Sequence, residues 1–573
     1  MDSKLCDENG INLQVTSVMT SSASTSEMSS RLASTRIVGR VLELCLLGAA
    51  AIFLVLHGVH LRADFPNHSP WMDWAKYTDE GWYGDAAIRH FQRGDWYVPG
   101  DFNPAAALPV WPLLEAAVFR FTGVNVVAAR ALTVGILGLI LMTVYLLVRR
   151  WRTASKPLAV PSLAPAAAVL LLAVSPFVYV FSRMAILEPL LILLTLLALL
   201  AASYLVPPGE QAHRVKKFIF AIALGLLLPL MVLTKTTAIF LLPSIAWIVF
   251  ARSGYKIRSA MKMVLPAGLL AAVVWAGYYG LVVRPHFLSD YEYLFSANGY
   301  TGITSTNAIE VLRDTFLDGM WLGNIVYPLA LVSAVIALCI RPRLLRNPLL
   351  PALLLWIVGY LAFIAYHDNL QPRYYLVIVV PVTLLAVIVF ESLWRRGELI
   401  SSLYSPGALV FAAALLLVVA TDARQTLGYV RHPEYTFASA ANRIRDIVAS
   451  QRSHNPLVLS ISGSDLSLMT GLPSICDDFG TQDLSERVKS YHPGWYVAWN
   501  QVDDDKMDAL TPIYHLQRVA SFPAMDDPER NLLILYRLDP VEKTPPLRSR
   551  PRTIPQFLRT RFGQQANPVQ LQH

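Results

Sequence analysis

Short clusters of Lys and Arg recur at every second junction between the long apolar runs of this chain, a pattern that membrane topology explains and a soluble core does not. The apolar runs occupy roughly 41–60, 126–148, 161–181, 186–206, 218–234, 236–251, 263–283, 325–340, 349–366, 375–393 and 405–421. Each approaches the ~20 residues needed to cross the hydrocarbon of a bilayer. The clusters are Arg149-Arg150-Trp151-Arg152, Arg214-Val215-Lys216-Lys217, the stretch from Arg252 to Lys262, Arg341-Pro342-Arg343 with Arg346, and Arg395-Arg396. All follow even-numbered runs, so the positive-inside rule yields one orientation, with the N-terminus in the cytoplasm. The expected fold is mainly α: a polytopic membrane protein of about eleven transmembrane helices.

The stretch 218–251 tests that count. As one helix it would measure about 51 Å against a hydrocarbon core of about 30 Å. Basic loops also flank it at both ends, so a hairpin turning near Thr234-Lys235-Thr236 is expected. Composition agrees, since 54% of residues are hydrophobic and only 15% charged, well outside the range of soluble domains. The net charge of +8 resides in loops beside apolar runs, which removes nucleic acid as the expected partner. Cys6, Cys45, Cys339 and Cys476 share no repeated spacing, so neither a disulfide framework nor a zinc site is implied.

Four regions follow. Residues 1–37 are rich in Ser and Thr and read as a disordered cytoplasmic tail; the apolar run after Arg40 lacks a small-residue cleavage motif and reads as an uncleaved span. Residues 38–421 form the membrane domain, with a first outer loop at 61–125. Segments 456–462, 495–499 and 531–536 look like short strands, and 437–450 reads as helix, giving a small soluble outer α/β domain over 422–540. Residues 541–573 are a basic, Pro-rich tail.

Chemistry is sought on the outer side. Thr78 can cap a helix whose first turn holds Asp79 and Glu80, an arrangement that serves helix stability alone, or that sets a reactive carboxylate at the membrane surface. The same loop continues through Gly94-Asp95-Trp96-Tyr97-Val98-Pro99, Leu108-Pro109-Val110-Trp111-Pro112, Phe121-Thr122-Gly123 and Ala128-Ala129-Arg130. This succession over 79–130 resembles the first outer loop of the GT-C glycosyltransferases related to protein O-mannosyltransferases and the lipid A aminoarabinose transferase. There an acidic pair follows the first span and a "gdW..P" turn leads to an "fG....aaR" entry into the second.

Three later echoes extend the resemblance. Phe181-Ser182-Arg183 through Glu188-Pro189-Leu190 is similar to the family's second acidic site, with Glu188 where many relatives have Asp. Glu188 is either a site residue or an interfacial carboxylate paired with Arg183. Leu233-Thr234-Lys235-Thr236-Thr237-Ala238 is similar to the family's "l.K.ta" turn; Lys235 either snorkels to the interface or binds phosphate. Gln371-Pro372-Arg373-Tyr374-Tyr375 resembles the "RY" entry to a late span, where the resemblance implies that Arg373 and Tyr374 contact the lipid-linked donor phosphate. One departure matters: Ala107-Leu108 stand where the aminoarabinose transferase has a Glu-Lys pair, and Trp82 where it has an Arg. The donor phosphate then falls to Lys235 and Arg373 and, with less support, Arg183.

The resemblance implies an inverting glycosyltransferase in the inner membrane of a bacterium. It would use a polyprenyl-phosphate sugar donor, an unnamed protein, lipid or glycan acceptor, and no cofactor or metal. Asp79 would be the general base and Glu80 a supporting carboxylate. A transporter or lipid-linked-sugar flippase, and a structural subunit of an envelope complex, are the other readings. The soluble domain either presents the acceptor or caps the membrane part. Asp477-Asp478, His492 and Asp503-Asp504-Asp505 lack motif spacing and read as solvated surface.

Overall fold

The computed structural model describes residues 37–153, 162–207, 214–297, 304–318, 325–367, 371–394, 406–451 and 453–541. The two tails expected at 1–37 and 541–573 lie outside these residues save for one position each. The chain is mainly helical, with a small sheet near its C-terminus. It opens with α1 (Ile37–His57). The first long loop then folds into α2 (Asp79–Arg93) and α3 (Val110–Thr122), and leads into α4 (Val126–Thr153).

The run at 161–181 is broken at Ser175 into α5 (Ala164–Val174) and α6 (Pro176–Phe181). Ser175 has extended backbone and its Oγ accepts from the N–H of Val178 at 3.3 Å, while Pro176 fills the first helical position, where its missing N–H costs nothing. Next come α7 (Leu187–Tyr204), α8 (Arg214–Thr234), a 3-10 turn at Thr236–Leu241 and α9 (Leu242–Arg252). The helix breaks at Lys235, with φ −155° and ψ 124°, at the expected turn. The later helices are α10 (Ile257–Tyr278), α11 (Arg284–His286), α12 (Leu288–Ala297), α13 (Ser305–Asp318), α14 (Val326–Val335), α15 (Leu349–His367), α16 (Leu376–Trp394) and α17 (Pro406–Arg431).

Six helical stretches among the described residues are long and apolar enough to cross a membrane: Ile37–His57, Val126–Trp151, Leu187–Tyr204, Ile257–His286, Leu349–His367 and Pro372–Ser392. Four more apolar helices are shorter. A helix that is apolar all round must be covered by protein or by lipid. Helices α7 and α16 are covered by protein and hold the centre of the core, whereas α1 and α10 turn apolar side chains such as Val55 and Leu269 outward.

The C-terminal part adds α18 (Thr436–Ser450), β1 (Val458–Leu459), α19 (Gly463–Thr470), β2 (Ser474–Ile475), α20 (Leu484–Tyr491), β3 (Trp495–Trp499), α21 (Asp504–Leu510), β4 (Tyr514–Pro523) and β5 (Leu532–Pro540). Strand order is β2-β1-β3-β5-β4, parallel from β2 to β3 and antiparallel beyond. Every residue of β3 is buried, because helices cover both faces of the sheet. Trp495, Val497 and Trp499 pack against Phe437 and Ile444 of α18, while Tyr496 and Ala498 pack against Val488 and Leu510. Each of these two cores also takes in a residue of the first long loop, Tyr77 on one side and Val98 on the other. The C-terminal domain is therefore completed by the loop on which it sits.

Candidate active site

Helix α2 is fixed from two sides, by α3 and by the C-terminal domain. A Cβ at Gly84 would lie 2.1 Å from Glu115 Oε2 of α3, and one at Gly81 would lie 2.1 Å from the Ser464 carbonyl carbon, at the start of α19. At Gly81 the obstacle is backbone, so only glycine lets α2 approach α19 this closely. The N–H of Gly81 donates to the Asp465 carboxylate, Ser464 Oγ donates to Asp85 Oδ1 at 2.8 Å, and Trp82 Nε1 donates to the Ile461 carbonyl at 3.2 Å. Thr78 occupies the cap position but makes no capping hydrogen bond. Its hydroxyl instead donates to the Trp74 carbonyl or to Asp79 Oδ1, at 3.2 and 3.0 Å, and so orients the Asp79 carboxylate.

Adjacent residues on a helix point about 100° apart, and the two acids part accordingly. Glu80 turns to Arg130, which reaches it at 2.8 and 2.5 Å through two nitrogens, and it also accepts from the N–H of Ala185 at 2.9 Å. Arg130 further donates to the Leu61 and Ala63 carbonyls. That closed set of bonds ties α2 to α4 and to the start of α7. Asp79 turns the other way, into a cavity of about 320 Å³.

Asp79, Lys235, Arg373 and Tyr374 all line this cavity, brought from the first loop, the α8–α9 break and the turn ahead of α16. Arg373 is held by Asp73, whose carboxylate accepts from Nη1 at 2.5 Å and from the backbone N–H at 2.8 Å. Its Nη2 lies 3.0 Å from Asp79 Oδ2. Lys235 is ion-paired with Glu188, the second residue of α7, which is fully buried behind it. The Tyr374 ring lies against both cations, 4.5 Å from Lys235 Nζ and 4.9 Å from Arg373 Cζ. Burial pushes the Asp79 carboxyl above the usual carboxylate range; Arg373 opposes that shift, and Asp73 and Glu188 reinforce it. Among the described residues no three His, Cys, Asp or Glu side chains cluster as metal ligands.

Two sequence expectations part from this geometry. The Glu188 carboxylate pairs with Lys235 and not with Arg183. Arg183 does not line the cavity; it donates to the Val59 and His60 carbonyls at 2.8 and 2.6 Å and lies over the Tyr179 ring. Asp477 corrects the reading of a solvated acidic surface: it is buried, accepts from Tyr496 Oη at 3.0 Å and lies 3.6 Å from Lys506 Nζ. Asp478 is exposed, yet what it faces is the cavity. His492 and Asp503, Asp504 and Asp505 are exposed as expected.

Asp73 and the C-terminal-domain residues of the cavity wall (Ile461, Asp478, Phe479 and Arg530) carry no sequence signal, because the other residues of the cavity lie far from them in the chain. Arg130 was legible as part of a motif, and its pairing with Glu80 supplies the reason for it.

No protein-family model matches this chain, and no curated protein matches it in sequence. Among solved structures it superimposes on ArnT from Cupriavidus metallidurans in the apo state with a TM-score of 0.50 at 14% identity, over 85% of this chain and 97% of that one. The chain shares the fold of that protein. The same ArnT bound to undecaprenyl phosphate gives a TM-score of 0.50 at 14% identity, covering 87% and 97%. The S. cerevisiae protein O-mannosyltransferase Pmt1-Pmt2 complex bound to the sugar donor gives 0.30 at 16% identity over 44% and 34%, too low to bear on the fold. The likeness in fold extends over 85% of the chain, and the cavity is lined from both the helical part and the C-terminal domain.

Proposed function

We propose that this chain is an integral-membrane, inverting glycosyltransferase that moves a sugar from a polyprenyl-phosphate donor to an acceptor at the outer face of a bacterial inner membrane. In this reading the apolar helices form about eleven spans, the N-terminus is cytoplasmic, and the cavity and C-terminal domain are outside. The carrying observation is that the Asp79 carboxylate shares one cavity with the Lys235 and Arg373 cations, and lies 3.0 Å from Arg373. A protein of similar fold bound to undecaprenyl phosphate supports a donor of that class.

The acceptor hydroxyl attacks the anomeric carbon from the face opposite the phosphate. As the new C–O bond forms, its proton passes to Asp79, whose raised affinity for protons suits a general base. The bond to the phosphate oxygen breaks with its electron pair, and the configuration inverts. The departing phosphate gains charge toward −1.5 to −2, which Arg373 and Lys235 stabilise, the first through a planar fork that matches phosphate oxygens. Asp73 and Glu188 hold those two side chains in place. Glu80, engaged with Arg130, supports α2 and takes no proton.

A transporter would set its ionisable groups along a path through the midplane, in broken helices. Here they gather at helix ends: Asp79 begins α2, Glu188 is second in α7, Lys235 separates α8 from the next turn, and Arg373 precedes α16. Mass spectrometry of membranes with and without the protein tests the proposal. Loss of the protein should let one lipid-linked sugar accumulate and remove one glycosyl group from an envelope component. Unchanged profiles of both would end the glycosyltransferase reading.

A further inference from the structure

The C-terminal domain contributes its own wall to the cavity, and that wall differs in chemistry from the charged side. Three rings meet there. Trp82 packs edge-on against Phe102 at 5.2 Å and against Phe479 at 5.1 Å, and Phe102 lies 5.6 Å from Phe479. All three line the cavity and are only partly buried, so each keeps some surface open. Beside them stands Asp478, exposed and also lining the cavity. Among the described residues its carboxylate makes no hydrogen bond or ion pair, although Arg530 lines the same cavity and lies 3.5 Å from Glu529 and 3.8 Å from Asp527.

The segment that carries Asp478 is held firmly. Arg487 Nη1 donates to the Cys476 and Phe479 carbonyls, at 2.5 and 2.7 Å, and to Asp101 Oδ1 of the first loop at 3.1 Å. The Phe479 N–H points at Cys476 Sγ at 3.4 Å, and Asp477 is anchored by Tyr496. Trp82 is fixed by its bond to the Ile461 carbonyl. An acceptor carried on a firmly held backbone beside an aromatic surface suits a binding site, and among the described residues no partner occupies the carboxylate.

We propose that Asp478, Phe479, Trp82 and Phe102 form a sugar-ring subsite. A pyranose has an apolar C–H face that packs on aromatic rings and a rim of hydroxyls that donate hydrogen bonds. An ionised carboxylate only accepts, with about four lone-pair positions, and suits two adjacent hydroxyls. The subsite rests on the glycosyltransferase reading. It deepens that reading by giving the C-terminal domain the task of recognising the sugar ring, either the one transferred or one on the acceptor.

The test uses the full chain in lipid nanodiscs and two variants, Asp478→Ala and Phe479→Leu. The first probe is sugar-free undecaprenyl phosphate. Wild type and both variants should bind it alike, which shows that the variants fold; failure of wild type to bind it counts against the donor reading and not against the subsite. The second probe is a panel of methyl α-mannoside, methyl β-glucoside and methyl β-galactoside. At least one should bind wild type, with Kd rising about tenfold in each variant as a charge-assisted hydrogen bond or a ring contact is lost.

The third probe compares undecaprenyl phosphomannose and phosphoglucose with undecaprenyl phosphate. If a preference for a glycosylated lipid disappears in the variants, the subsite holds the donor sugar. If that preference survives while methyl glycoside binding falls, it holds the acceptor's. Absence of glycoside binding by wild type, or unchanged binding in both variants, overturns the subsite.

Discussion

Nη2 of Arg373, just ahead of α16, lies 3.0 Å from Oδ2 of Asp79, the first residue of α2. One guanidinium thus bridges the first loop and the tenth apolar run, and Asp73 holds the residue by one bond from that guanidinium and one from its backbone N–H. In the proposed reaction this joins base and leaving-group ligand directly: moving Arg373 would change both the placement and the proton affinity of Asp79.

Asp79→Asn keeps the shape of the side chain and removes its basicity. Transfer should fall by about 10²–10⁴-fold, the usual contribution of a positioned base. In the wild type the base acts only when ionised, and burial holds its carboxyl above the ordinary range. The rate should therefore fall as pH drops through that raised value, giving an acid limb at higher pH than a solvated aspartate would give. Rates of sugar transfer against pH in reconstituted membranes check both points, and near-wild-type turnover by the variant would remove Asp79 as base.

Arg373→Lys retains the charge but cannot reach Asp73 and Asp79 with one planar fork. Transfer at limiting donor should drop by roughly 10–100-fold, since a charge-assisted contact is worth a few kcal/mol. Varying the concentration of lipid-linked donor distinguishes weakened donor use from general loss of folding.

Lys235→Ala leaves Glu188 fully buried with no counter-charge, at a cost of about 3–5 kcal/mol. Thermal unfolding in detergent should show the loss. Lys235→Met combined with Glu188→Gln should restore much of the stability. Transfer by this double variant should stay low; recovery would mean that Lys235 serves the fold and not the donor phosphate.

Asp101 is fully buried and accepts from Arg89 at 2.6 Å, from Arg487 at 3.1 Å and from the Cys476 N–H at 3.1 Å, binding the first loop to the C-terminal domain. Asp101→Ala leaves two buried guanidinium groups short of an acceptor and should cost about 3–5 kcal/mol. Limited proteolysis should then cut between α17 and α18 where the wild type resists.

Burial raises the Asp85 carboxyl from 3.8 to about 6, against the pull of Arg89 at 2.8 Å. Because the folded value exceeds the unfolded one, protonation favours the fold: its contribution is full below 3.8 and is lost as pH rises through about 6. Asp85→Asn cannot titrate. The melting temperature of the variant minus that of wild type should grow more positive across that interval, and a difference independent of pH would contradict the assignment.

Much of the helical architecture was legible because it follows from local patterns. Apolar runs of bilayer length became helices, and the break at Lys235 falls where a charged residue interrupts them; the break at Ser175, where Ser-Pro stands, was not expected. The strand at Trp495–Trp499 emerged where aromatic and β-branched residues cluster. Of the candidate site residues, Asp79, Lys235, Arg373 and Tyr374 share one cavity, Glu188 and Glu80 stand behind it, and Arg183 lies apart. Arg183 misled because one chain neighbourhood puts Arg and Glu close in sequence, while the turn between α6 and α7 sends their side chains to different partners.

By itself the sequence determined the helical character, the break at Lys235 and the residue types able to do the chemistry, because hydropathy acts over a few neighbouring residues. Only the tertiary structure decided that Asp73 grips Arg373, that Glu80 belongs to Arg130, and that Asp478 faces the same cavity as Asp79. Those relationships join segments far apart in the chain. They are set by which buried charges can find partners and by how closely Gly81 and Gly84 let α2 approach its neighbours.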